Sequence, residues 1–115
     1  MLSRVRVGEV DVLSFSPGAT LTSETAMRVI TAVLRNIARP FHVVLDCAEL
    51  TALDSAGLGA IVQVYKKVHE LGGGLFIASV PHGYARNIFS ITRLDTVLEL
   101  YDDVDQAVAA HVAVE

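Results

Sequence analysis

Residues 41–48 form an almost unbroken apolar run, and Leu75–Val80 form a second. A strand that alternates apolar and polar side chains can keep one face in water, whereas a strand without alternation has to be covered on both faces. Each run follows a segment whose apolar positions recur at helical spacing, so helices have to supply the cover. That combination admits few architectures. It predicts a largely parallel sheet with helices packed against it.

The remaining segments fit this frame. Residues 2–7 and 10–15 read as two short strands, each with one buried face, joined by a tight hairpin at Gly8-Glu9 and closed by Ser16-Pro17-Gly18. The spacing of Met27, Ile30, Val33 or Leu34, and Ile37 predicts an amphipathic helix from Ser23 to about Ala38, with Thr22 or Ser23 as its N-cap. Pro40 separates it from the first apolar run. A loop through Thr51 and Asp54 leads to a second helix, Ser55–Leu71, with the stripe Leu58, Ile61 or Val62, Tyr65 and Val68. Gly72-Gly73-Gly74 supplies its left-handed cap and the turn into the strand Leu75–Val80. Pro81 stands where a first helical residue would be, and a third helix runs through Tyr84, Ile88 and Phe89 to about Ile91. A strand at Val97–Tyr101 precedes a helix from Asp103 to Val112, opened by Asp102, Asp103 and Asp105 against the positive end of the helix dipole. The order β-β-α-β-α-β-α-β-α predicts one small α/β domain over residues 1–115, with a mixed, mostly parallel sheet of about five strands and about four helices.

Composition narrows the function classes. With 52% hydrophobic and 19% charged residues, the chain lies far from the composition of disordered segments. The net charge of -4 is uneven: all nine Lys and Arg lie within residues 1–93, while Asp95, Glu99, Asp102, Asp103, Asp105 and Glu115 follow without a base. No basic cluster tracks a groove, which argues against direct nucleic-acid binding. No apolar stretch reaches the roughly 18–20 residues of a membrane span, and the first ten residues lack a signal-peptide core. Cys47 has no partner for an internal disulfide and reads as a buried, inert thiol. A reduced, cytoplasmic setting is expected.

Local rules are broken in one place, Leu53-Asp54-Ser55-Ala56-Gly57-Leu58-Gly59. Gly57 and Gly59 fall in the first turns of a helix, where each costs about 1 kcal/mol relative to alanine. Such glycines serve either the approach of another backbone or bulky group, or dense packing of the helix on its own sheet. Ser55 stands at the N-cap or first residue, where free N–H groups and the dipole stabilise an anion, so a phosphate on its hydroxyl would be tolerated. That phosphate would add about -1.5 to -2 charges beside Asp54. The plainer reading is that Asp54 or Ser55 caps the helix.

Enzyme constellations are missing. A nucleophile elbow needs glycine where Leu53 stands, and no glycine-rich turn is followed by the lysine of a phosphate-cradling loop. His42, His69, His82 and His111 have no metal-ligand spacing, so neither a metal nor another cofactor is expected, and the chain reads as a non-enzyme. Asp46, at a strand end, reads as a site carboxylate or as a loop cap.

Val43-Val44-Leu45-Asp46, Leu50 through Gly59, Gly72 through Ile77, Ile91-Thr92-Arg93-Leu94-Asp95 and the acidic turn into Ala107–Ala110 together resemble a STAS domain of the anti-sigma factor antagonist type. The resemblance covers almost the whole chain and is most specific in the Asp-Ser-x-Gly-Leu-Gly turn. It implies a bacterial regulator that binds an anti-sigma factor with a kinase fold and so frees a sigma factor. It further implies that this partner, using its own bound ATP, phosphorylates Ser55 and releases the antagonist, and that a serine phosphatase restores it. Carried over by position, Ser55 would be the phosphoacceptor, with Asp54, Ala56, Gly57, Leu58, Gly59 and Thr22 in the docking surface. Two positions depart from the pattern: Thr22 follows one extra residue where the family commonly has an acid, and Arg93 replaces a usual glycine. STAS-like domains also serve, without phosphorylation, as accessory subunits of membrane transport systems, and Ser55 would then be only a cap.

Overall fold

The computed structural model describes residues 2–35, 42–81, 83–96 and 98–112. Five strands form the main sheet: β1 (Leu2–Val7), β2 (Val10–Phe15), β4 (His42–Asp46), β6 (Gly74–Ala78) and β7 (Glu99–Tyr101), in the order β1-β2-β4-β6-β7. β1 pairs antiparallel with β2, and the other three neighbouring pairs are parallel. Four helices, α1 (Ala26–Arg35), α2 (Ser55–Glu70), α3 (Tyr84–Ile91) and α4 (Val104–Val112), complete the expected α/β architecture.

The two apolar runs occupy the sheet centre and are buried on both sides. Val43 and Leu45 of β4, with Leu75 and Ile77 of β6, meet Val29 and Val33 of α1, Leu58, Ile61, Val64 and Val68 of α2, and Phe89 of α3. Val44 and Ala78 turn to the opposite face, where Ala107 of α4 closes a smaller cluster with Val10 and Val12. Burying each such aliphatic side chain contributes about 1.5–3 kcal/mol. Ile61 rather than Val62 faces the core, and Val64 joins it.

The first hairpin departs from the expected half-wet pattern. β2 is buried on both faces, and its Asp11 is fully enclosed, accepting Arg4 Nε at 2.9 Å and Arg6 Nη1 at 3.0 Å. A buried carboxylate has to be compensated, and the two guanidiniums of the edge strand do so. β1 is the exposed member: α4 packs on β2, β4, β6 and β7, and Val5 remains 60% exposed.

Further differences lie at element ends. β3 (Ala19–Leu21) and β5 (Leu50–Leu53) form a separate parallel pair where turns and a loop were expected. α1 begins at Ala26 because the chain first makes a turn in which the Thr22 carbonyl accepts the N–H groups of Thr25 and Ala26. Its core face is Val29 and Val33, with the expected Ile30 packed half-buried against the same cluster, whereas Met27, expected in the stripe, is 71% exposed. Ile37, Ala38, Pro40 and Phe41 of the expected helix end and strand start, together with His82 and Val97, lie outside the described residues. β6 begins at Gly74 and ends at Ala78, earlier at both ends than expected, and Ser79 then turns with φ 60. Pro81 precedes the third helix rather than opening it, since Gly83 at φ 95 is the N-cap. A short 3-10 turn, Leu94–Thr96, stands before β7. Arg93 holds φ 60 just beyond Thr92, the C-cap of α3, so this turn keeps the left-handed geometry glycine would supply.

Candidate functional site

The site is assembled where the short β3–β5 pair delivers the chain to the start of α2. Leu21 pairs with Leu53, and the next N–H, that of Asp54, donates to the Leu21 carbonyl at 3.3 Å. Thr51 Oγ1 donates to the Ala19 carbonyl at 3.0 Å and braces the same pair. The backbone then turns into the helix with Asp54 in extended conformation at the N-cap.

Asp54 is the cap. Its Oδ1 accepts the Gly57 N–H at 2.9 Å, and its carbonyl accepts the Leu58 N–H at 3.0 Å. Oδ2 accepts the Ser23 N–H at 3.2 Å, which ties the turn before α1 to the head of α2. Within that turn Thr25 Oγ1 accepts the Thr22 N–H at 3.0 Å and donates to the Thr20 carbonyl at 2.9 Å. Thr22 is therefore half-buried as the head of a turn and offers no charge.

With Asp54 in the capping role, Ser55 is the first helical residue and is exposed. Among the described residues no hydrogen bond engages its hydroxyl, and the N–H groups of Ser55 and Ala56 are likewise left over at the helix start. The helix behind them is 16 residues long, so its dipole favours an added anion at this point.

The two glycines divide between the roles left open for them. A Cβ on Gly57 would collide with the Leu21 carbonyl oxygen, so Gly57 serves the approach of the chain's own backbone. A Cβ on Gly59 would meet nothing within 4 Å, and Gly59 is exposed. Leu58 is buried in the core. Of the expected docking residues, Ser55, Ala56 and Gly59 thus form the outer surface, Asp54 and Thr22 hold its frame, and Gly57 and Leu58 lie beneath it. Ser23 and Leu21 complete the frame. No local signal marks them, because their contacts are with residues some thirty positions away.

Other candidates resolve simply. Asp46 is a loop cap, accepting the Ala48 N–H at 3.1 Å and the Ser14 hydroxyl at 3.2 Å. Cys47 is buried, and burial foremost, with the Asp46 carboxylate beside it, pushes its thiol up to about 12. Among the described residues no group of three or more His, Cys, Asp or Glu is placed to hold a metal ion, and no helix is long and apolar enough to cross a membrane.

Known proteins share the sequence pattern and the fold of this chain. A protein of Thermotoga neapolitana named provisionally as an anti-sigma factor antagonist is 32% identical over 65 residues, 56% of this chain and 57% of that protein. The chain spans about half the length of the curated relatives it matches. The crystal structure of an anti-sigma factor antagonist from Mycobacterium paratuberculosis has a TM-score of 0.80 at 24% identity, covering 96% of this chain and 92% of that one. The anti-sigma factor antagonist SpoIIAA in its unphosphorylated form gives 0.76 at 13% identity, covering 98% and 97%. The phosphorylated form of Bacillus SpoIIAA gives 0.66 at 14% identity, covering 96% and 98%. The family model of the STAS domain matches residues 5–107, and the chain belongs to that family.

Proposed function

We propose that this chain is an anti-sigma factor antagonist that acts by binding, not by catalysis, and is switched at Ser55. Its partner is an anti-sigma factor with serine kinase activity, which supplies the ATP, and a serine phosphatase reverses the modification. The observation that carries this reading is the division of labour at the start of α2. Asp54 satisfies the cap, which leaves the exposed Ser55 hydroxyl with no structural task. Names borne by its relatives support the class of partner, and SpoIIAA is known in both an unphosphorylated and a phosphorylated form.

The switch follows from charge. A phosphate on Ser55 would take up the spare N–H groups of the first turn, so α2 would not be unwound by it. The same group adds about -1.5 to -2 charges to a surface made of Ser55, Ala56 and Gly59, and a partner fitted to the neutral surface is expelled.

The test uses the purified chain and the serine kinase encoded nearest its gene. Incubation with ATP should place one phosphate on the peptide containing Ser55, read by mass spectrometry. Ser55→Asp should lose partner binding and Ser55→Ala should keep it. A phosphate-free Ser55 peptide, or equal binding by the two variants, sinks the proposal. Constitutive co-purification with a transporter ATPase, unchanged by Ser55→Asp, would support the accessory-subunit role instead.

A further inference from the structure

The apolar side of α1 extends beyond the core. Val29 and Val33 are buried in it and Ile30 packs half-buried against it, while Met27, Ile30 and Leu34, spaced at i, i+3 and i+7, continue the apolar side outward. Ile30 and Leu34 line a groove of about 310 Å³ between α1 and α2, whose opposite wall is Gln63, Lys66, Lys67 and Glu70. Met27, one turn nearer the start of α1, is left 71% exposed.

The α2 wall of the groove lies on the same helix stripe as Ser55. On α2, Ser55, Gly59, Gln63, Lys66 and Glu70 follow one another at three- and four-residue steps, so the stripe that walls the groove has Ser55 at its head. Gly59, between Ser55 and Gln63, leaves that stretch of the stripe without a side chain. Among the described residues no ion pair engages Lys66 or Lys67.

We infer that this groove receives an acidic, amphipathic helix of the kinase that modifies Ser55, an inference that rests on the function proposed above. The apolar residues of α1 recur at the spacing with which one helix face meets another, as in helix-in-groove recognition. Lys66 and Lys67, which no ion pair engages among the described residues, complement carboxylates on the incoming helix. Glu70 disfavours a carboxylate at the foot of the groove, so the incoming acids lie between the lysines and Ser55. The same layout couples docking to release. A phosphate at the head of the stripe repels those acids, so the product of the reaction weakens the contact that brought the kinase there.

Steady-state phosphorylation of the full chain by the purified serine kinase encoded nearest its gene tests this. Lys66→Glu combined with Lys67→Glu should raise KM about 10-fold with kcat unchanged, because like charges then face each other across the contact. Lys66→Arg combined with Lys67→Arg should retain the original KM, and Met27→Ser, at an exposed position, should raise it several-fold. Added salt should raise KM for the original chain, where it screens attraction, and lower KM for the double glutamate variant, where it screens repulsion. Unchanged KM in both the glutamate and the Met27 variants, with Ser55 still phosphorylated, overturns the groove and leaves the Ser55 switch standing. Absence of phosphate on Ser55 in the original chain overturns both. Sedimentation showing that the chain self-associates through these lysines would assign the groove to a second copy and likewise overturn the inference.

Discussion

The carboxylate of Asp54 accepts the backbone N–H of Ser23 at 3.2 Å, joining the head of α2 to a turn 31 positions earlier in the chain. Its second oxygen caps α2 through Gly57, so one side chain sets the relative position of the two segments that frame Ser55. Replacement by alanine removes both hydrogen bonds and is expected to cost about 1–2 kcal/mol. Asp54→Asn retains one acceptor oxygen and should lose less. Urea denaturation midpoints for the two variants, at unchanged slope, check this order.

Gly57 and Gly59 look alike in sequence and should respond in opposite directions. Alanine at 57 drives its methyl group into the Leu21 carbonyl, and overpacking of this kind costs about 1–3 kcal/mol. That exceeds the gain in helix propensity of up to about 1 kcal/mol. Alanine at 59 meets open space and should show the propensity gain alone. Equal effects at both positions, measured by thermal unfolding, would contradict the Leu21 contact.

Arg93 sits at φ 60, a conformation that costs a side-chain-bearing residue about 1–2 kcal/mol. Glycine removes that strain but adds freedom to the unfolded chain. The balance should favour Arg93→Gly by about 0.5–1 kcal/mol, seen as a rise of a few degrees in Tm. A β-branched residue such as valine should lower it.

Burial of Cys47 makes the stability of the fold depend on pH, with a known sign. Its thiol is held at about 12 in the folded protein, against a reference value of 9.0. Ionisation therefore favours the unfolded chain: the contribution is fully present below the reference value and is lost as pH rises from there toward the folded value. Native protein at pH 8 should not react with a thiol reagent, and the same protein in denaturant should release one equivalent. Rapid labelling of the native form would show that the thiol is open to solvent.

Much of this architecture follows from local pattern. Unalternating apolar runs demand cover on both faces, so β4 and β6 were bound to lie centrally, and the Asp-Ser-x-Gly-Leu-Gly turn marked the start of α2. Helical spacing alone could not say which apolar face of α1 meets the core. Val29 and Val33 do, with Ile30 half-buried beside them, and Met27 is left in solvent. Nor could alternation in residues 2–7 and 10–15 reveal which strand is buried; that depends on β1 taking the sheet edge and on its arginines closing over Asp11. The β3–β5 pair is three and four residues long, too short for periodicity to register, and it forms only because distant segments meet. The same holds for the site. The residue types at Asp54, Ser55 and Gly57 were legible in the chain, but the assignment of cap to Asp54, contact to Gly57 and an idle hydroxyl to Ser55 was decided in three dimensions. Hydrogen bonds and close contacts from Leu21 and Ser23 make that assignment, and residues thirty positions apart leave no trace in local spacing.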